Sequence, residues 1–260
     1  MLQVIVPLDF SESSFNAAHY ACQMYKNRTD VNIILYHFYS DGEEVPVAKN
    51  YLNSLKNELL QCALSIETFI ESGDNFIDRF AAYAHAKKAY MIVMGLFGKT
   101  ALEQRFSGSN TLLMAEKSVC PVLIVPAAAK FSKIENVLIT SEMKYVEESP
   151  TLITVKKVLK DFKPALHILN VDENHYLTLT EEVKAERDKM EVLLKEFNPE
   201  FHFMRLYDFH EAVNIFTEDN NIDIIIIAPK YHSLFEKLFK TQHTKKVVYQ
   251  SKVPVLAIHE

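Results

Sequence analysis

The sequence predicts an α/β protein built as two tandem, doubly wound, five-stranded and mostly parallel sheets. Three observations carry this. Short apolar runs alternate with segments whose apolar residues recur at helical spacing. Strands that alternate with helices pair in parallel through right-handed crossovers. Some strands, such as IDIIIIA (222–228), are apolar almost throughout and demand burial on both faces. The same order of elements then restarts halfway along the chain.

The elements follow in order. VIVPLDF (4–10) reads as a first strand that ends in polar residues, and Ser11 caps a helix running to Tyr25. VNIILYHFY (31–39) is a second strand, and residues 51–64 are helical. SIETFIES (65–72) alternates as a strand with one polar face does. Residues 75–88 are helical, YMIVMG (90–95) is a buried strand, and a loop and helix lead to Ser118. PVLIVP (121–126) closes the first set as a fifth strand.

The second set repeats the first. Val4 matches Val137, the pair His37-Phe38 matches Asn170-Val171, and Ser118-Val-Cys-Pro121 matches Ser251-Lys-Val-Pro254. These anchors keep a nearly fixed offset, so two domains are expected at 1–126 and 134–260, joined by the linker AAAKFSK around 127–133.

Composition excludes several classes. Lys+Arg is 28 and Asp+Glu is 34, a net charge of −6, so nothing supplies the basic excess of a nucleic-acid binder. No apolar run is long enough to span a membrane. MLQVIVPLDF reads as a first strand rather than a signal peptide. Cys22, Cys62 and Cys120 are odd in number and far apart, which predicts buried unpaired thiols and a cytoplasmic setting. The spacing of Cys and His assigns no metal ligands, and no side-chain set is assigned to catalysis.

Glycine is the informative residue. The chain has only 5, at 42, 73, 95, 98 and 108, and three of them fall within fourteen residues. Gly95-Leu-Phe-Gly98, nine residues, then Gly108-Ser109 spell G-x2-G-x9-G-S after the fourth strand. Glycines there let backbone N–H groups approach a ligand, and a helix starting near Ser109 offers its positive end to phosphate. A bare connecting turn needs only one or two glycines. Gly98-Lys99-Thr100 imitates the end of a P-loop, but the required first glycine would fall on Val93, inside a strand.

With Val4-Ile-Val-Pro7-Leu-Asp9-Phe-Ser11, His37-Phe38, the glycine motif and Cys120-Pro121-Val-Leu-Ile-Val125 in one order, residues 1–126 resemble the universal stress protein (UspA-like) family. The resemblance implies a Rossmann-like, adenine nucleotide alpha hydrolase-like fold and a role in stress response. It implies ATP or AMP as ligand, with or without Mg²⁺. Carried onto this chain, Asp9 and the backbone at Phe38 would hold adenine. Gly95, Gly98, Gly108 and Ser109 would hold phosphates, with Asn110 beside them at the helix start. Leu96 and Phe97 depart from the polar residues common there. Single-domain relatives pair through their last strands, so the resemblance also implies an internal pseudo-dimer, with a homodimer of chains open.

The second copy lacks the motif. Glu142 stands for Asp9, Pro229 for Gly95, His232 for Gly98, and Thr241 or Gln242 for Gly108. One nucleotide per chain, held in the first copy, is therefore expected. Two alternatives stay open at this point: a nucleotide-free interaction scaffold of the same fold, and a slow ATPase. The basic stretch 230–246 is either a solvated helix face or a patch for an anionic partner.

Overall fold

The computed structural model describes residues 1–40, 45–62, 64–96, 107–117, 119–144, 146–171, 179–206, 208–227 and 251–258. The chain forms two compact units, Met1–Ser132 and Lys133–Glu260.

The first unit contains β1 (Leu2–Leu8), α1 (Glu12–Met24), β2 (Val31–Tyr39), α2 (Val45–Leu59), β3 (Ser65–Ser72), α3 (Phe76–Ala86), β4 (Met91–Leu96), α4 (Ser107–Glu116) and β5 (Val122–Pro126). Its strands lie in the order β3-β2-β1-β4-β5, and every neighbouring pair is parallel. The chain leaves β1 toward β2 on one side and later returns to β4 on the other. That reversal makes a switch point beyond the C-terminal ends of β1 and β4, where open α/β sheets bind ligands.

Local chemistry explains the element ends. Ser11 caps α1 by accepting from the Ser14 N–H, and Asn75 caps α3 by accepting from Asp78. Phe10 has φ 62°, which turns the chain sharply from β1 into α1 and stacks its ring on His37 with centroids 4.3 Å apart. The second helix begins at Val45, earlier than residue 51. Pro46 explains this, because its fixed φ suits the first turn of a helix and it lacks a donor that would be orphaned there anyway.

The second unit contains β6 (Asn136–Thr140), α5 (Pro150–Phe162), β7 (Ala165–Val171), α6 (Glu181–Leu194), β8 (Glu200–Met204), α7 (Phe209–Asp219), β9 (Ile224–Ile227) and β10 (Val255–Ala257). Its order, β8-β7-β6-β9-β10, is that of the first unit, again with parallel pairs. The repeat extends to single contacts. His37 Nδ1 meets the Leu8 carbonyl at 2.8 Å, and at the matching positions Asn170 Nδ2 donates to the Ser141 carbonyl at 2.9 Å. Among the described residues no helix is long and apolar enough to cross a membrane.

One expectation is corrected. The sulfurs of Cys22 and Cys62 are joined in a disulfide, with their Cα atoms 6.1 Å apart. Forty residues separate them in sequence, but Cys22 sits on α1 and Cys62 in the short 3₁₀ turn Leu60–Cys62 that follows α2. Packing of those helices brings together what sequence spacing kept apart. Cys120 is unpaired, as expected.

Candidate functional site

A cavity of about 240 Å³ lies at the C-terminal ends of β1, β2 and β4. Its walls come from six elements and from the turn after β1. Pro7, Leu8 and Asp9 contribute from the end of β1 and that turn, Phe38 from β2, and Met94 and Gly95 from β4. Ser13 and Ser14 contribute from the first turn of α1, Phe76 from the start of α3, and Asn110 and Thr111 from α4. Phe38, Phe76, Leu8 and Met94 make the walls partly apolar. The serines, Asn110, Thr111 and Asp9 give them polar groups.

Asp9 is held by its own loop. Its Oδ1 accepts from the Ser11 N–H at 3.1 Å and from the Ser11 hydroxyl. Oδ2 has no hydrogen-bond partner among the described residues. The same Ser11 caps α1, so the carboxylate and the helix start are positioned by one side chain.

Two helices begin at this cavity. Ser13 and Ser14 lie in the first turn of α1, and α4 starts at Ser107. The first turns and positive dipole ends of both helices therefore face the C-terminal ends of the strands, an arrangement suited to an anion. Thr111 fixes α4 in place by donating to the Gly95 carbonyl at 3.2 Å.

Gly95 has a role that its place in the glycine motif did not show. A side-chain carbon there would fall against the Ser13 backbone, 2.5 Å from its carbonyl carbon and 3.0 Å from the Ser14 nitrogen. The glycine lets the first turn of α1 lie directly on β4. Its smallness serves packing within the protein, whatever the cavity holds.

Of the residues singled out from sequence, the cavity brings together Asp9, Phe38, Gly95 and Asn110. Gly108 and Ser109 lie in the first turn of α4. Gly98 lies outside the described residues, as do the basic stretch 230–246 and the residues aligned with the motif at 229, 232, 241 and 242. Sequence reasoning missed Ser13, Ser14, Phe76 and Thr111. Ser13 and Ser14 could have been found, since a serine-rich helix start after the first strand must face the strand ends.

Residues 1–126 match the model of the universal stress protein family. No curated protein matches the chain. Among solved structures, a universal stress protein from Archaeoglobus fulgidus DSM 4304 aligns with 99% of this chain and 96% of its own, at 18% identity and a TM-score of 0.71. A functionally unknown protein from Pseudomonas aeruginosa PAO1 aligns with 99% of this chain and 92% of its own, at 12% identity and a TM-score of 0.65. A shorter universal stress protein, crystallised in complex with cAMP, aligns with 48% of this chain and 97% of its own, at 25% identity and a TM-score of 0.41. Through residues 1–126 the chain belongs to the universal stress protein family, and its second unit repeats the same strand order.

Proposed function

We propose that this chain is an adenine-nucleotide-binding stress-response protein with one site, in the first unit. The observation that carries the reading is the cavity at the sheet's switch point, where the starts of α1 and α4 converge opposite apolar walls. Phosphates fit the first: backbone N–H groups of the α4 start, with Gly108, Ser109 and Asn110, donate to their oxygens. A purine fits the second: Phe38 and Leu8 cover its faces, and the Asp9 carboxylate accepts from its exocyclic amine. ATP and AMP share these groups, and Mg²⁺ would accompany ATP only.

The chemistry available is that of binding. Uniform contacts from backbone donors stabilise ground-state phosphates as well as a transition state, and so do not raise turnover. The described lining carries one carboxylate, Asp9, and no cation. A regulatory module fits this better than a fast ATPase.

Native mass spectrometry of protein purified without added nucleotide tests the reading, followed by calorimetric titration with ATP, ADP and AMP. One nucleotide per chain is the expected stoichiometry. Two equivalent sites would refute the assignment to the first unit. No binding of any of the three would leave the fold as an interaction scaffold.

A further inference from the structure

The second unit carries a cluster that the nucleotide reading does not use. His167 on β7, with Glu200 and His202 on β8, place three donor atoms side by side. His167 Nδ1 lies 3.2 Å from His202 Nε2 and 3.6 Å from Glu200 Oε2, and His202 Nε2 lies 3.8 Å from the same oxygen. A triangle with those edges has a circumscribed radius of about 2.05 Å, which falls in the range of Zn–N and Zn–O bonds, roughly 2.0–2.2 Å. One cation near its centre would reach all three atoms without any of them moving.

The sheet register builds this arrangement. His167 pairs with Glu200, and Leu169 with His202. Alternation then puts all three side chains on one face of the β7–β8 pair. Phe216 of α7 packs on the histidines, with centroids 4.7 Å from His202 and 6.0 Å from His167, and fixes both rings. Glu200 is 67% exposed, so an ion can enter and can keep water as a further ligand.

The first unit supplies the comparison. Its matching strand pair sets Ile34 against Glu67 and Tyr36 against Phe69. Phe69 stacks on Tyr83 at 4.3 Å, where His202 meets Phe216 with its ring tilted. The two copies thus share the carboxylate and the aromatic backing, while Ile34 and Phe69 are replaced by His167 and His202. Packing alone does not call for this exchange. An imidazole in place of a buried isoleucine leaves His167 Nε2 buried with no partner.

We propose that His167, Glu200 and His202 form a binding site for a divalent transition-metal ion, with zinc the ion they fit best. Two imidazoles and one carboxylate suit zinc over calcium or magnesium. Bound there, the ion clasps β8, the edge strand of its unit's sheet, to β7. The buried Nε2–H of His167 lacks the outer acceptor that usually supports a ligating histidine, which sets the affinity short of a four-ligand structural site.

The experiment uses the untagged full-length chain, stripped with a chelator and titrated with zinc chloride against a chromophoric competitor. One Zn²⁺ per chain is expected, with Kd below about 10 μM; a weaker Kd overturns the proposal. His202→Phe and His167→Ile install the residues found at the matching positions of the first unit. Each is expected to weaken binding at least tenfold. Glu200→Gln, at an exposed position that leaves the fold intact, is expected to weaken it as well. Retention of wild-type affinity in the folded variants would place the bound zinc elsewhere and overturn the assignment.

Discussion

Gly95→Ala separates two reasons for a glycine that sequence alone cannot distinguish. If the residue were small only so that a ligand could approach, alanine would disturb the complex and leave the ligand-free protein untouched. The structure says otherwise, because the new carbon meets the Ser13 backbone at 2.5 Å, where ordinary contact begins near 3.4 Å. The first turn of α1 must retreat by about 1 Å, an overpacking cost of about 2 kcal/mol. For a unit of 132 residues this lowers Tm by about 6–10 °C. Because Ser13 and Ser14 line the cavity, the same retreat moves the loop that holds Asp9, and nucleotide affinity is expected to fall about tenfold, or about 1.4 kcal/mol. Differential scanning calorimetry without ligand, followed by titration with ATP, reads both effects. An unchanged ligand-free Tm with lost binding would refute the packing argument.

Gly108→Val is expected to weaken nucleotide binding with little change in ligand-free stability as read by circular dichroism, and Gly98→Val to do the same; unaltered affinity in both would move the phosphates away from the motif. A phosphate-release assay with ATP should show turnover below ~1 s⁻¹, and a faster rate that Gly108→Val abolishes would promote the ATPase reading. Burial pushes the Cys120 thiol up to about 12 from its usual 9.0, so it should resist alkylation at pH 8 in the folded chain and react once the chain is unfolded in denaturant. The same shift has a sign for stability. An unfolded chain loses this proton near pH 9 while the folded one keeps it, so this group's contribution falls as pH rises between about 9 and 12.

The parts of the fold written in local pattern were legible. VNIILYHFY and SIETFIES gave β2 and β3 with the observed ends, since a mostly apolar run and an alternating one are properties of the strand itself. The start of α2 was not legible, because VPVAKN has no helical apolar spacing and Pro46 acts only as a start signal. In the cavity, Asp9, Phe38, Gly95 and Asn110 were legible through the glycine motif and the resemblance to the universal stress protein family. What Gly95 touches depends on how α1 lies on β4, and that is tertiary packing. The same holds for Cys22 with Cys62, and for His167 with His202, which only strand register brings within 3.2 Å. A signal for the histidines existed all the same. Sliding the sequence by 133 places them over Ile34 and Phe69, two positions with no reason to turn polar.

The shared register of the two units means that the chain carries its own control. Strand positions in one half have twins in the other, held by the same pairing: Val4 with Ile33 matches Val137 with Leu166, and Ile34 with Glu67 matches His167 with Glu200. A duplicated scaffold of this kind can divide its labour. The sheet interior keeps Ile, Val and Leu in both halves. Positions that depart from it, such as His167 over Ile34, answer to whatever each half has come to hold, and can drift independently. Divergence between twins then becomes a ruler of function within one molecule. Where they agree, the fold is speaking; where they part, inheritance has been spent on something else.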